Sequence, residues 1–167
     1  MKWLGVFLLT VVSAVVLAQG WKTISSKDAG LQFSVPAEPK ASSRTDADGG
    51  YSVPTRMWIA SGGNTNYVVS VSFIPANAPA TFSANMVKGI KQGFLNSTNG
   101  KIVADKPATY AGISGQQMTF STPTGVKGDV WIISRGKKVI TLTIAKAAGT
   151  SYSAEKAKFF GSLKLTN

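Results

Sequence analysis

The sequence predicts an α+β domain: a mostly antiparallel β-sheet of six or seven strands, flanked by one helix inserted mid-chain and one at the end. Three patterns predict it. Short segments alternate apolar and polar side chains with the period of two that half-buried strands require, as in Leu31-Gln32-Phe33-Ser34-Val35. The segment from Phe82 to Asn96 instead repeats apolar residues every four positions. Val130-Trp131-Ile132-Ile133 is apolar throughout, which suits a strand covered on both faces.

The elements follow in chain order. Trp21 to Ile24 reads as a short strand, Lys27 to Gly30 as a turn, and Leu31 to Val35 as a strand ended by Pro36 and Pro39. Ala41 to Gly50 is polar and closes on Asp46-Ala47-Asp48-Gly49-Gly50, the composition of a surface loop. Thr55 to Ala60 and Tyr67 to Ile74 read as a hairpin around Ser61-Gly62-Gly63-Asn64, with Met57 and Ile59 opposite Trp58, and Val69, Val71 and Phe73 sharing a face. In the helix, Phe82, Met86, Ile90 and Phe94 form the inward stripe, and Thr81 or Ser83 is placed to cap it. Lys101 to Tyr110 is extended but interrupted by Pro107, Gly112 to Gly115 is a turn, and Gln116 to Ser121 points Met118 and Phe120 inward. Pro123 to Gly128 is a loop before the apolar run. Arg135-Gly136-Lys137-Lys138 turns the chain into Val139 to Ala145, with Ile140, Leu142 and Ile144 on one face. Ser153 caps a last helix to about Leu163, with Ala157, Phe159 and Phe160 facing inward.

The first 18 residues have the pattern of an export signal. Lys2 precedes an apolar run from Trp3 to Leu17, and Val16-Leu17-Ala18 sets up cleavage before Gln19. The competing reading is a retained anchor, but a spanning helix needs about 20 apolar residues and this run is shorter. Residues 19–167 then form a single domain, exported to the periplasm or secreted, and large enough for a hydrophobic core without disulfides.

Composition closes several chemistries. The 167 residues contain no His and no Cys. There is thus no imidazole base, His-ligated zinc, thiol nucleophile or Fe–S ligand. No pattern asks for a cofactor or metal. The formal net charge is +11, from 18 Lys+Arg against 7 Asp+Glu. Residues 86–167 hold twelve basic and three acidic side chains, whereas residues 19–85 hold five and four. Such a basic half either attracts anionic polymers or membranes or serves solubility as scattered solvated lysines, and the excess of Lys over Arg favours the second. Nucleic acid is disfavoured, because Lys far outnumbers Arg and no aromatics are interleaved with the cations. The candidate anion-binding residues are Arg135, Lys137 and Lys138 at the hairpin tip, with Lys127, Lys101 and Lys106.

Other motifs are weak. Ser134-x-x-Lys137 and Ser153-x-x-Lys156 match a serine acyl-enzyme spacing, but the companion motifs are absent. The seven acids fall mostly in turns, where carboxylates serve the backbone. Asp46-Ala47-Asp48-Gly49 lacks the acidic twelfth position of an EF-hand calcium loop, since Met57 stands there. Asn96-Ser97-Thr98 is a glycosylation sequon at a helix end.

Phe33-Ser34-Val35-Pro36-Ala37-Glu38-Pro39-Lys40 resembles the opening of small exported proteins with a PsbP/Mog1-like fold, although its prolines come early. The mid-chain helix, the Gly112-Ile113-Ser114-Gly115 turn, the paired strands and the closing helix follow that family's order. The resemblance implies an α/β/α sandwich around an antiparallel sheet. It also implies a binding or assembly-supporting role, as for PsbP proteins at photosystem II and Mog1 at a small GTPase. It carries over no functional residue. Three functions stay open: an exported, non-catalytic domain binding a protein or envelope component; a polyanion- or membrane-binding protein; and an enzyme built on Ser/Lys or carboxylates.

Overall fold

The computed structural model describes residues 20–147 and 151–166; residues 1–18, expected from their pattern to be an export signal, lie outside them. Ten strands and two helices follow the order β1 (Lys22–Ser26), β2 (Leu31–Val35), β3 (Lys40–Asp48), β4 (Tyr51–Gly62), β5 (Thr65–Phe73), α1 (Phe82–Thr98), β6 (Lys101–Tyr110), β7 (Ile113–Ser121), β8 (Lys127–Arg135), β9 (Lys138–Lys146), α2 (Ser153–Gly161) and β10 (Lys164–Leu165). Seven strands form one antiparallel sheet in the order β3-β4-β5-β9-β8-β7-β6, and β1-β2-β10 form a second, three-stranded one. No helix among the described residues is long and apolar enough to cross a membrane.

The large sheet is covered on both faces, which explains the unbroken apolar run at its centre. Trp131 and Ile133 point to one side and join Leu31, Phe33, Val69, Leu142, Phe159 and Phe160 in a core closed by α2 and the small sheet. Val130 and Ile132 point to the other side and meet Phe82, Met86, Met118 and Phe120 beneath α1. The architecture is therefore the expected α/β/α sandwich. Gly115 belongs to this packing, since a methyl group there would lie 2.6 Å from the indole Nε1 of Trp131.

The expected loop over Ala41 to Gly50 is a strand instead. β3 pairs with β4 in unbroken register from Lys40↔Ile59 to Asp48↔Tyr51, and Gly49 and Gly50, at φ 53 and 84, make the turn between them. Its side chains are exposed on both faces, so hydrophobic alternation gives no signal and only the ladder to β4 defines it. Pro107 does not interrupt β6, because β6 is an edge strand and loses no ladder bond there. The turn expected over Gly112 to Gly115 is tighter: Ala111 and Gly112 take φ 49 and 76, and β7 already starts at Ile113.

The helices need three corrections. Phe82 and Met86 are buried, whereas Ile90 and Phe94 are half-buried, because α1 packs chiefly over β8 and β9 and its far side stays open. In α2 the inward line runs through Tyr152, Lys156, Phe159, Phe160 and Leu163, which leaves Ala157 exposed. Ser153 does not cap that helix. It is the first helical residue, and the Ser151 hydroxyl accepts its N–H at 3.4 Å.

Candidate functional site

Ionisable and polar groups converge most densely at Asp129. The alternation of β8 turns Lys127, Asp129 and Trp131 to the α2 side. Asp129 is 1% exposed. Its Oδ1 accepts from Gln117 Nε2 at 2.5 Å and from Thr119 Oγ1 at 2.6 Å. Its Oδ2 accepts from the Tyr152 hydroxyl at 2.8 Å and faces Lys156 Nζ at 3.2 Å. Gln117 in turn accepts from the Tyr110 hydroxyl at 2.7 Å. One carboxylate thereby ties β7, β8 and α2 together.

The titration behaviour follows from these contacts. Burial pushes the Asp129 carboxyl up, but the bonds from Thr119, Tyr152 and Gln117 and the Lys156 charge outweigh it and hold the group below the usual carboxylate range. Burial raises the Tyr152 phenol, and its bond to Asp129 and the charge of Asp129 raise it further. Burial and the Asp129 charge do the same to Tyr110. The result is a carboxylate ringed by donors that favour its charged form.

An open pocket of about 430 Å³ lies against this cluster, lined by Lys127, Ser151, Ser153 and Lys156 among others. It contains the Ser153-x-x-Lys156 pair, but without the geometry of a nucleophile and its base. Lys156 is turned to Asp129, and the Ser153 hydroxyl bonds that of Ser151 at 3.2 Å.

A second concavity lies on the other face. α1 crosses the sheet obliquely, with Phe82 against Tyr51 at a ring separation of 5.1 Å and Phe94 against Phe120 at 4.4 Å. Between the helix and β3, β4 and β5 runs a groove of about 610 Å³. Met57, Ser70 and Thr141 lie on its sheet side, and Gly89, Ile90 and Gly93 on its helix side. The floor hydroxyls pair with one another, Thr55 with Ser72 at 2.9 Å and Ser70 with Thr141 at 2.6 Å. A Cβ placed at Gly89 or Gly93 would meet nothing within 4 Å, so these glycines leave the groove open.

The six candidate cations do not converge. Arg135, Lys137 and Lys138 sit at one end of β8 and β9, and Lys127 at the other. At about 3.4 Å per residue those ends are about 27 Å apart, well beyond a Debye length of about 8 Å at physiological salt. Two of the tip cations also serve the fold. Lys138 Nζ donates to the Ala29 carbonyl at 2.8 Å and Lys137 Nζ to that of Ala76 at 3.4 Å. Lys101 lies nearer Lys127: the register runs Lys101↔Ser121↔Lys127↔Lys146 across four strands. Lys106 is exposed midway along β6, opposite Gln117. Asp46, in the motif compared with a calcium loop, is paired with Arg44 at 2.9 Å. In the sequon, Asn96 accepts from Gln92 and Thr98 donates to the Phe94 carbonyl.

Neither the Asp129 cluster nor the groove was singled out from sequence. A signal existed for each: an acid directly before a four-residue apolar run, and glycines four apart on an otherwise amphipathic helix.

No protein-family model matches this sequence, and no curated protein does. Among solved structures, the solution structure of cyanobacterial PsbP from Synechocystis sp. PCC 6803 superposes with a TM-score of 0.60 at 13% identity, covering 94% of this chain and 98% of that one. A crystal structure from Bacteroides thetaiotaomicron matches at a TM-score of 0.48 and 14% identity, over 89% of this chain and 49% of that one. The chain has the PsbP-like fold.

Proposed function

We propose that this chain is an exported, non-catalytic domain that binds a protein or another component of the cell envelope, with the groove beside α1 as its binding surface. One observation carries the reading. The best-placed acid, Asp129, has both oxygens saturated by donors from its own chain, whereas the groove on the opposite face presents half-buried Ile90 and Phe94 beside Met57 and a floor of hydroxyls. Apolar contacts next to groups that can still accept hydrogen bonds suit recognition of a polypeptide segment. The PsbP-like fold supports the same direction, since the family resemblance implies binding or assembly support rather than catalysis.

The test is in-cell photo-crosslinking from a photoreactive side chain at Met57, compared with one at exposed Thr109 on the far edge. A discrete adduct from Met57 alone supports the reading. Equal labelling from both positions, or none from either, defeats it.

A second reading, binding to an anionic polymer or membrane, is supported by the row of Lys101, Lys127 and Lys146 across the ends of β6, β8 and β9. Lys146 is held by Glu155 at 3.1 Å, which leaves Lys101 and Lys127 as the cations of that end. Salt-dependent retention on heparin tests it.

A further inference from the structure

The large sheet has two free edges, β3 and β6, and they differ. β6 is guarded. Pro107 lacks an N–H, and the register with β7 slips between Ile102 and Ala104, a bulge that twists the edge away from any added strand. β3 has neither device. Its nine residues contain no proline and pair with β4 without a register shift, and its side chains are exposed apart from half-buried Asp46. Among the described residues no strand pairs with its outer edge, and a regular strand left so offers a row of unpaired N–H and C=O groups to another strand.

Edges of this kind are usually blocked by like charges. The charges of β3 have a different layout. Lys40 and Arg44 occupy its first half and Asp46 and Asp48 its second, all at even positions and so on one face. Against a parallel copy, like would face like. Against an antiparallel copy in the register Arg44↔Asp46, each Arg44 lies opposite the Asp46 of the other copy and the two-fold axis repeats the match, whereas full overlap of the nine residues would set Arg44 against Arg44. The odd positions are Ala41, Ser43, Thr45 and Ala47, too small to hold two sheets apart. We propose that β3 pairs antiparallel with β3 of a second copy, joining the two large sheets edge to edge. Arg44, Asp46 and Asp48 also rim the groove beside α1, so such a dimer sets the two grooves side by side across the axis.

Sedimentation velocity on the purified chain from Gln19 onward tests this, over a concentration series at low salt. The wild type should show a monomer–dimer equilibrium that weakens as salt rises. The D46K/D48K variant makes the edge wholly basic and K40D/R44D makes it wholly acidic. Each alone should sediment as a monomer, with at least a tenfold weaker dimer constant. An equimolar mixture of the two should recover dimer, which also shows that both variants are folded. A wild type that stays monomeric at every concentration overturns the proposal, and so do single variants that dimerise as well as the wild type.

Discussion

Replacing Asp129 by Asn keeps the volume and shape of the side chain and removes its charge. One amide oxygen still accepts from Gln117 and Thr119. The new NH₂ group replaces the oxygen that served Tyr152 and Lys156. The Tyr152 hydroxyl can rotate and accept, but the ammonium has only donors to offer. Lys156 is 25% exposed, so part of its charge is recovered by water. A single bond to a charged group contributes about 1.5–3 kcal/mol, and breaking a fully buried ion pair costs about 3–5 kcal/mol. The expected loss lies between these, at about 3 kcal/mol. For a domain of this size it lowers Tm by about 6–12 °C. Lys156→Gln, which still donates to the carboxylate, should lose less. Urea unfolding followed by circular dichroism measures both. The pH dependence checks the sign. A carboxyl whose folded pKa is depressed stabilises the fold above its unfolded pKa of about 3.9, and that contribution is lost as pH falls through the folded value. The gap between wild type and Asp129→Asn should therefore be full at pH 7 and shrink below about pH 4. A loss under about 1 kcal/mol at pH 7, or a gap that does not change with pH, refutes the view of Asp129 as the tie between β7, β8 and α2.

Phe94→Ala should cost about 2 kcal/mol, less than the 3–5 of a fully buried Phe, because half-buried Phe94 keeps mainly its contact with Phe120; denaturant titration decides, and a loss above 4 would mean that α1 seals that side. On heparin, a Lys101→Glu, Lys127→Glu double variant should elute at lower salt than an Arg135→Glu, Lys137→Glu variant, since the former pair shares one register row with Lys146, whereas Lys137 is engaged by the Ala76 carbonyl; the opposite order would move the anionic contact to the hairpin tip. N-terminal sequencing of the chain recovered from outside the cytoplasm should begin at or near Gln19, and recovery only in membranes with Lys2 intact would indicate an anchor.

What the sequence made legible was governed by where hydrophobic contrast exists. Leu31 to Val35 buries one clean set of alternating side chains, Tyr67 to Val71 does the same, and Val139 to Ile144 is apolar enough to be buried on both faces; the structure places all three as strands. β3 buries no side chain, so its composition is that of a loop and only its ladder to β4 reveals it. β10 is two residues long and exists because it completes a pair with Gln32 and Leu31. Ala157 misled because alanine fits either face of a helix, and Lys156 takes the inward place through its pairing with Asp129. The candidate cations shared a half of the sequence but not an end of the sheet, because β8 carries Lys127 and Arg135 to opposite edges of the molecule. The groove depends on how obliquely α1 crosses the sheet, which helical periodicity does not encode.

The measurement that tests the central claim most directly compares two variants in the Met57 crosslinking assay, at a temperature where both are folded. Gly93→Leu projects into the groove from the helix side, its Cβ meets nothing within 4 Å and it replaces a helical glycine, so its stability should equal or exceed that of the wild type by up to about 1 kcal/mol. Asp129→Asn alters the opposite face and leaves the groove intact. If the chain acts by binding through this groove, Gly93→Leu abolishes the adduct and Asp129→Asn preserves it. An adduct that survives Gly93→Leu and disappears with Asp129→Asn would contradict the account and place the function at the Asp129 pocket.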